Sequence, residues 1–150
     1  MDRKSCFFIG HREADERLLP ELTDAIERLI TEGQVFCFYV GGYGGFDRIA
    51  AAAVKQAKLH YPEVSLMLAL PYHPAERPME APYGFDGTYY PERLEKVPRR
   101  FAIVNANKIM VDTSDWLIAY VRHDVSNSHK VLEYAQRRGI IQILRIGLEK

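Results

Sequence analysis

Five short apolar runs punctuate the chain, at Ser5–Ile9, Val35–Val40, Val64–Leu70, Trp116–Val121 and Ile140–Ile146, and they are continuous rather than alternating. A strand with one wet face alternates apolar with polar residues; a run that stays apolar is buried on both faces, as interior strands of parallel sheets are. Between the runs the period changes to that of a helix. Leu18–Ile30 lines up Leu18, Leu22, Ala25, Ile26 and Leu29, and the alanine-rich Ile49–Leu59 turns Lys55 and Lys58 outward. Arg99–Asp112 follows Pro98 and carries Phe101, Ile103, Val104, Ile109, Met110 and Val111. Lys130–Arg138 follows the cap residues Ser126, Asn127 and Ser128 and stops at Gly139. Strand and helix in alternation require right-handed crossovers between parallel strands. The expected fold class is therefore α/β, a three-layer Rossmann-like sandwich on a five-stranded, mainly parallel sheet of order 3-2-1-4-5, with residues 1–150 forming one domain.

Sheets of this kind bind ligands beyond the carboxyl ends of their strands, where the strand order reverses. Three segments converge there: Gly10-His11-Arg12, Gly41–Asp47 and Arg122–His129. In the second, Gly41, Gly42, Gly44 and Gly45 join an apolar strand to a helix, an arrangement that can aim unpaired helical N–H groups at a phosphate. The same glycines also serve a sharp reversal or close packing with no ligand at all. Arg12 offers a planar fork to phosphate oxygens or pairs with Glu13 or Asp15. A carboxylate at Asp47 would repel a phosphate on the same donors, so it serves a sugar hydroxyl or caps the helix; it is the one weak catalytic candidate. His11 contacts ligand, helps position Arg12, or is satisfied by neighbouring backbone. His123 and His129 lack the thiolates or carboxylates that a metal site needs, so neither a metal nor a resident cofactor is expected.

At 150 residues and 47% apolar, the chain can bury an ordinary core. Lys+Arg 20 against Asp+Glu 20 removes any global pull toward nucleic acid or anionic membrane, so neither is an expected partner. Cys6 and Cys37 sit inside apolar runs as buried hydrophobes suited to a reducing compartment. The start of the sequence leads straight into a strand and no apolar run approaches membrane length, which points to the cytoplasm. From Pro71 to Pro91 five prolines interleave with Tyr72, Tyr83, Phe85, Tyr89 and Tyr90. Such a long loop is a lid or an interface, its rings packing on one another, on a partner subunit or on a base.

Cys6-Phe-Phe-Ile-Gly-His-Arg12, Gly41-Gly-Tyr-Gly-Gly-Phe-Asp47, Tyr90-Pro-Glu-Arg-Leu-Glu-Lys-Val-Pro98 with Arg100-Phe101, and Met110-Val-Asp-Thr-Ser-Asp-Trp-Leu-Ile-Ala-Tyr120 together resemble the YpsA-like family of domains. That family belongs to the SLOG superfamily, named for the SMF/DprA proteins and the Lonely Guy enzymes. The resemblance implies a Rossmann-like fold that binds a nucleotide or nucleotide-derived ligand, and a homodimer. Arg100 and Asn107 share one helix face and match polar positions of that family, which implies that they reach the ligand or bridge to a twin subunit; a solvated helix face is the ordinary alternative. Relatives often carry a Gly-Gly pair after the fourth strand, where this chain has Ser126, Asn127 and Ser128, side chains that can donate to phosphate or ribose or simply cap a helix. The expected function is thus a sensor module for a mononucleotide, NAD or ADP-ribose class of ligand. The alternative is a phosphoribohydrolase-like N-glycosidase acting on nucleoside monophosphates; the glutamate element of the Lonely Guy pattern is missing, and Glu133 alone does not replace it. DNA binding and protein interaction through the aromatic loop are lesser alternatives.

Overall fold

In the computed structural model, which describes residues 3–42, 44–73, 81–91 and 94–148, the first apolar run is strand β1 (Lys4–Gly10) and divides its side chains between two cores. Cys6 and Phe8 pack with helices α1 (Leu19–Thr31) and α2 (Gly45–His60), while Phe7 and Ile9 pack with helices α3 (Ala102–Thr113) and α4 (Asn127–Arg138). Burial of alternate residues on opposite faces is why the run is apolar throughout. The remaining strands are β2 (Val35–Val40), β3 (Ser65–Ala69), β4 (Gly87–Tyr89), β5 (Trp116–Tyr120) and β6 (Gln142–Arg145). Their order is β4-β3-β2-β1-β5-β6, with every neighbouring pair parallel. The expected 3-2-1-4-5 arrangement is present as β3-β2-β1-β5-β6.

Two sequence-based boundaries need correction. The sheet has six strands rather than five, because β4 emerges from the aromatic loop and pairs with the outer edge of β3. Asp86 makes this register: its backbone N–H donates to the Leu66 carbonyl at 2.8 Å, and its carboxylate accepts from the Leu66 N–H at 2.7 Å and from Lys58 Nζ at 2.6 Å. Three residues carry too little apolar pattern to announce a strand. The second correction is at α4, where Ser126 alone is the cap, its Oγ accepting from the His129 N–H at 3.0 Å, and Asn127 and Ser128 belong to the helix. Gly139 closes that helix in the left-handed conformation, φ 68°, as its position predicts.

The loop's described rings pack mostly on residues outside the loop. Tyr89 lies 5.4 Å from Tyr39, His73 meets Tyr90 edge-on at 5.2 Å, the Arg99 guanidinium sits 4.9 Å over Tyr72, and Lys55 covers Phe85. Tyr83 is 97% exposed. Pro74 and Pro78 of this loop lie outside the described residues, as do Tyr43 of the glycine turn and Glu92-Arg93 of the third matched segment.

Burial raises the Asp86 carboxyl, but the Leu66 N–H and the Lys58 ammonium outweigh it and hold the group below its ordinary 3.8. Asp86→Asn is expected to cost about 1 kcal/mol at neutral pH, since an exposed-edge ion pair is lost while a hydrogen-bond acceptor remains. A depressed carboxyl stabilises above its unfolded value and stops doing so as pH falls through its folded one. Urea midpoints of the two proteins should therefore differ at pH 7 and converge below pH 3.8.

Candidate functional site

Beyond the carboxyl ends of β1, β2 and β5 lies a cleft of about 390 Å³. β1 is the point from which the chain builds the sheet in both directions, so this is the switch in strand order that the topology predicts. Gly10, His11, Arg12, Gly41, Gly44, Asp47, Asn107, Ser126, Asn127 and Ser128 all line it. Gly42, Gly45 and Arg100 do not; Arg100 lies on the exposed surface with its guanidinium over the Phe101 ring.

The glycine turn brings two backbones together. A Cβ on Gly10 would fall into the Phe46 ring, one on Gly45 would strike the Arg12 carbonyl oxygen, and one on Gly44 would lie 2.8 Å from Arg12 Cγ. The Gly45 N–H donates to Arg12 O at 2.9 Å and the Phe46 N–H to His11 O at 3.3 Å. The first donors of α2 are thus used within the protein. The expectation that this helix start presents them to a phosphate is corrected on that point.

The opposite wall is arranged differently. Ser126 Oγ takes the third N–H of α4, that of His129, whereas the first two, of Asn127 and Ser128, precede any intrahelical acceptor. The Ser128 hydroxyl donates to Gly10 O at 2.8 Å and ties the helix to the end of β1. Arg12 makes no ion pair among the described residues. Its candidate partner Asp15 instead accepts from the Arg17 N–H at 2.8 Å and lies 3.5 Å from Arg17 Nε. The exposed Arg12 and the first turn of α4 thus line the same cleft, a pairing of charge and dipole suited to an anion.

His11 is a buried bolt between the two halves of the sheet. Its Nε2 accepts from the Arg122 N–H at 2.8 Å, its ring stacks on His123 at 4.0 Å, and it meets Tyr120 edge-on at 5.3 Å. An Nε2 that accepts a backbone proton belongs to a neutral imidazole. Burial and the neighbouring His123 push its pKa below 6.5, Glu13 opposing. Of the roles open to His11, satisfaction by neighbouring backbone is the one found.

Glu13 and Ile103 also line the cleft without having been expected there, and so do His123 and Val125, which belong to the expected Arg122–His129 segment but carried no assigned role. The strand order contained the signal for His123. Gly10 pairs with Tyr120, so the residues following each strand stand side by side. His129 lies 3.2 Å from Glu133 on α4, so this glutamate is engaged away from the cleft. No cluster of three metal-ligating side chains occurs among the described residues. Nor is any helix of the described residues long and apolar enough to cross a membrane.

No protein-family model and no curated protein matches the chain. Solved structures do. DNA processing protein A (DprA) from Streptococcus pneumoniae superposes with a TM-score of 0.69 at 16% identity, covering 98% of this chain and 51% of that one. DprA from Helicobacter pylori, described for its single-stranded DNA binding mode, gives 0.65 at 16% identity, covering 97% and 66%. The chain has the Rossmann-like fold of DprA, whose proteins belong to the SLOG superfamily. It spans about half the length of the Streptococcus protein.

Two measurements follow from this geometry. Gly10→Ala, which must displace the fully buried Phe46, should lower unfolding free energy by about 2–3 kcal/mol in chemical denaturation. A histidine held neutral costs stability as pH falls, because the unfolded chain takes up the proton first. Wild-type stability should drop between pH 7 and pH 5 more steeply than that of His11→Gln, and parallel profiles would refute the neutral bolt.

Proposed function

We propose that the chain is a binding module that senses a nucleotide or nucleotide-derived ligand, of the mononucleotide, NAD or ADP-ribose class, in the cleft beyond β1 and β5. The observation that carries this reading is that Arg12, in no ion pair among the described residues, lines one cleft together with the first turn of α4. Asn107 and Asn127 add donors and acceptors of the kind a ribose or phosphate uses. The membership in the YpsA-like family, a single domain, a homodimer and a cytoplasmic setting go with this reading, on the resemblance and composition described above.

The site holds little that would catalyse. Its buried imidazole is neutral and engaged, and the carboxylates that line it are Glu13 and Asp47. Phosphoribohydrolase-like cleavage of an N-glycosidic bond would fall to Asp47. Single-stranded DNA is the second reading, favoured by the fold shared with the Helicobacter pylori DprA. It would use the same anion-binding wall, and balanced net charge does not remove it.

A thermal-shift screen against nucleoside monophosphates, NAD and ADP-ribose tests the reading. A ligand at a hundredfold excess over its Kd should stabilise by about 2.7 kcal/mol. Arg12→Ala should weaken that ligand by about 10- to 100-fold, the worth of a charge-assisted bidentate contact. No shift with any nucleotide, together with salt-dependent binding of a labelled oligothymidine that Arg12→Ala abolishes, would transfer the site to DNA. Release of free base, seen by chromatography and lost in Asp47→Asn, would make the protein an enzyme.

A further inference from the structure

A second cavity, of about 470 Å³, opens beyond the carboxyl ends of β3 and β4. Its walls are Tyr72 and His73 after β3, Tyr90 after β4, Leu94, and Arg99 and Ala102 at the start of α3. Leu94 is 2% exposed and gives it an apolar floor. Around that floor the rings are held in place: His73 stands edge-on to Tyr90 at 5.2 Å, and the Arg99 guanidinium lies 4.9 Å over Tyr72. Aromatic faces and guanidinium planes are the surfaces on which planar heterocycles stack.

This cavity and the Arg12 cleft share a wall. Ala102 lines one and Ile103, the next residue of α3, lines the other. β1 and β3 are separated only by β2, and β4 is one strand further. At one strand spacing of about 4.8 Å, the two openings lie some two to three spacings apart, about 10–14 Å, along one edge of the sheet. The first offers charge and helix dipole; the second offers rings and no carboxylate but Glu95.

We infer that the second cavity is a ring-binding subsite, and that the ligand is a dinucleotide whose phosphates and one nucleoside occupy the Arg12 cleft while its second ring stacks among Tyr72, His73, Tyr90 and Arg99. This inference rests on the nucleotide reading of the first cleft and specifies the ligand class. It also accounts for the aromatic loop, since Pro71, Tyr72, His73 and Tyr90 are the parts of that loop that reach the site.

The test compares NAD with AMP by isothermal titration calorimetry on the wild type, Arg12→Ala, His73→Ala and Arg99→Ala. His73 and Arg99 are exposed, so these variants should fold; circular dichroism melts check that they do. His73→Ala and Arg99→Ala should each weaken NAD by about tenfold, the loss of one stacking contact, and leave AMP unchanged. Arg12→Ala should weaken both. NAD binding that depends on Arg12 but not on His73 or Arg99 would overturn the subsite while preserving the first cleft. Equal losses for AMP and NAD in the His73 and Arg99 variants would also overturn it, since the cavity would then have no separate ring. Wild-type protein that binds neither nucleotide would end both readings, and the variants assayed with labelled oligothymidine would then show whether the rings serve DNA.

Discussion

Where the end of β1 meets the start of α2, two backbones touch, and much of the architecture around the cleft depends on that contact. The Gly45 and Phe46 N–H groups close onto the carbonyls of Arg12 and His11, and a Cβ at Gly10 or Gly45 would run into the Phe46 ring or the Arg12 carbonyl. The contact seats Phe46 beneath Gly10, where its ring lies 6.4 Å from Phe8 and 5.8 Å from Tyr120. It also settles how the two helix starts at the cleft differ. α2 has spent its leading donors on the protein, whereas the first two N–H groups of α4, of the cleft-lining Asn127 and Ser128, precede any intrahelical acceptor. An anion is therefore better served by the wall built from Ser126–Ser128 than by the glycine turn.

The second organising element is the His11 ring. Phe46, Tyr120, His11 and His123 form a continuous series of ring contacts across the end of the sheet, from the α2 layer to the β5–α4 connection. Accepting the Arg122 N–H fixes the imidazole in its neutral form, and burial reinforces this. A buried cation there would repel any cationic neighbour and leave the Arg122 N–H without an acceptor. The bolt thus holds Arg12 and the β5–α4 connection in register while contributing no charge of its own.

Strand order was legible because burial on two faces writes itself into composition: Cys6-Phe7-Phe8-Ile9 has no polar member on either side. β4 was not, since Gly87-Thr88-Tyr89 owes its place to the ties that Asp86 makes with Leu66 and Lys58, contacts between residues far apart in the chain. The convergence of Gly10–Arg12, Gly41, Gly44, Asp47 and Ser126–Ser128 on one cleft followed from topology, whereas Asn107 was expected there only from the family resemblance. What each backbone group does there did not. A glycine-rich turn reads the same whether its N–H groups await a phosphate or a neighbouring carbonyl, because the partner lies thirty-odd residues earlier at Arg12. Arg100 and Arg99 show the same limit: one residue of helical rotation sends the first over Phe101 and the second over Tyr72, into the ring-lined cavity.

Net charge is a poor guide to such a site. The sum of zero includes cations already neutralised in pairs: Arg17 with Asp15, Arg28 with Glu32, Lys58 with Asp86 and Arg138 with Asp112. Arg12, Arg99 and Arg100 form no ion pair among the described residues, and Arg12 and Arg99 each line one of the two neighbouring openings. Each opening thus sets a guanidinium beside carboxylates, Arg12 with Glu13 and Asp47 and Arg99 with Glu95, so neither is a strongly positive surface. With so few phosphate contacts on offer, counterion release is small, because the salt slope grows with the number of phosphates neutralised. A ligand here must draw its affinity from geometry: a bidentate guanidinium, two helix-end donors and ring stacking. That combination favours a short ligand held at defined points over a long polyanion held by its field.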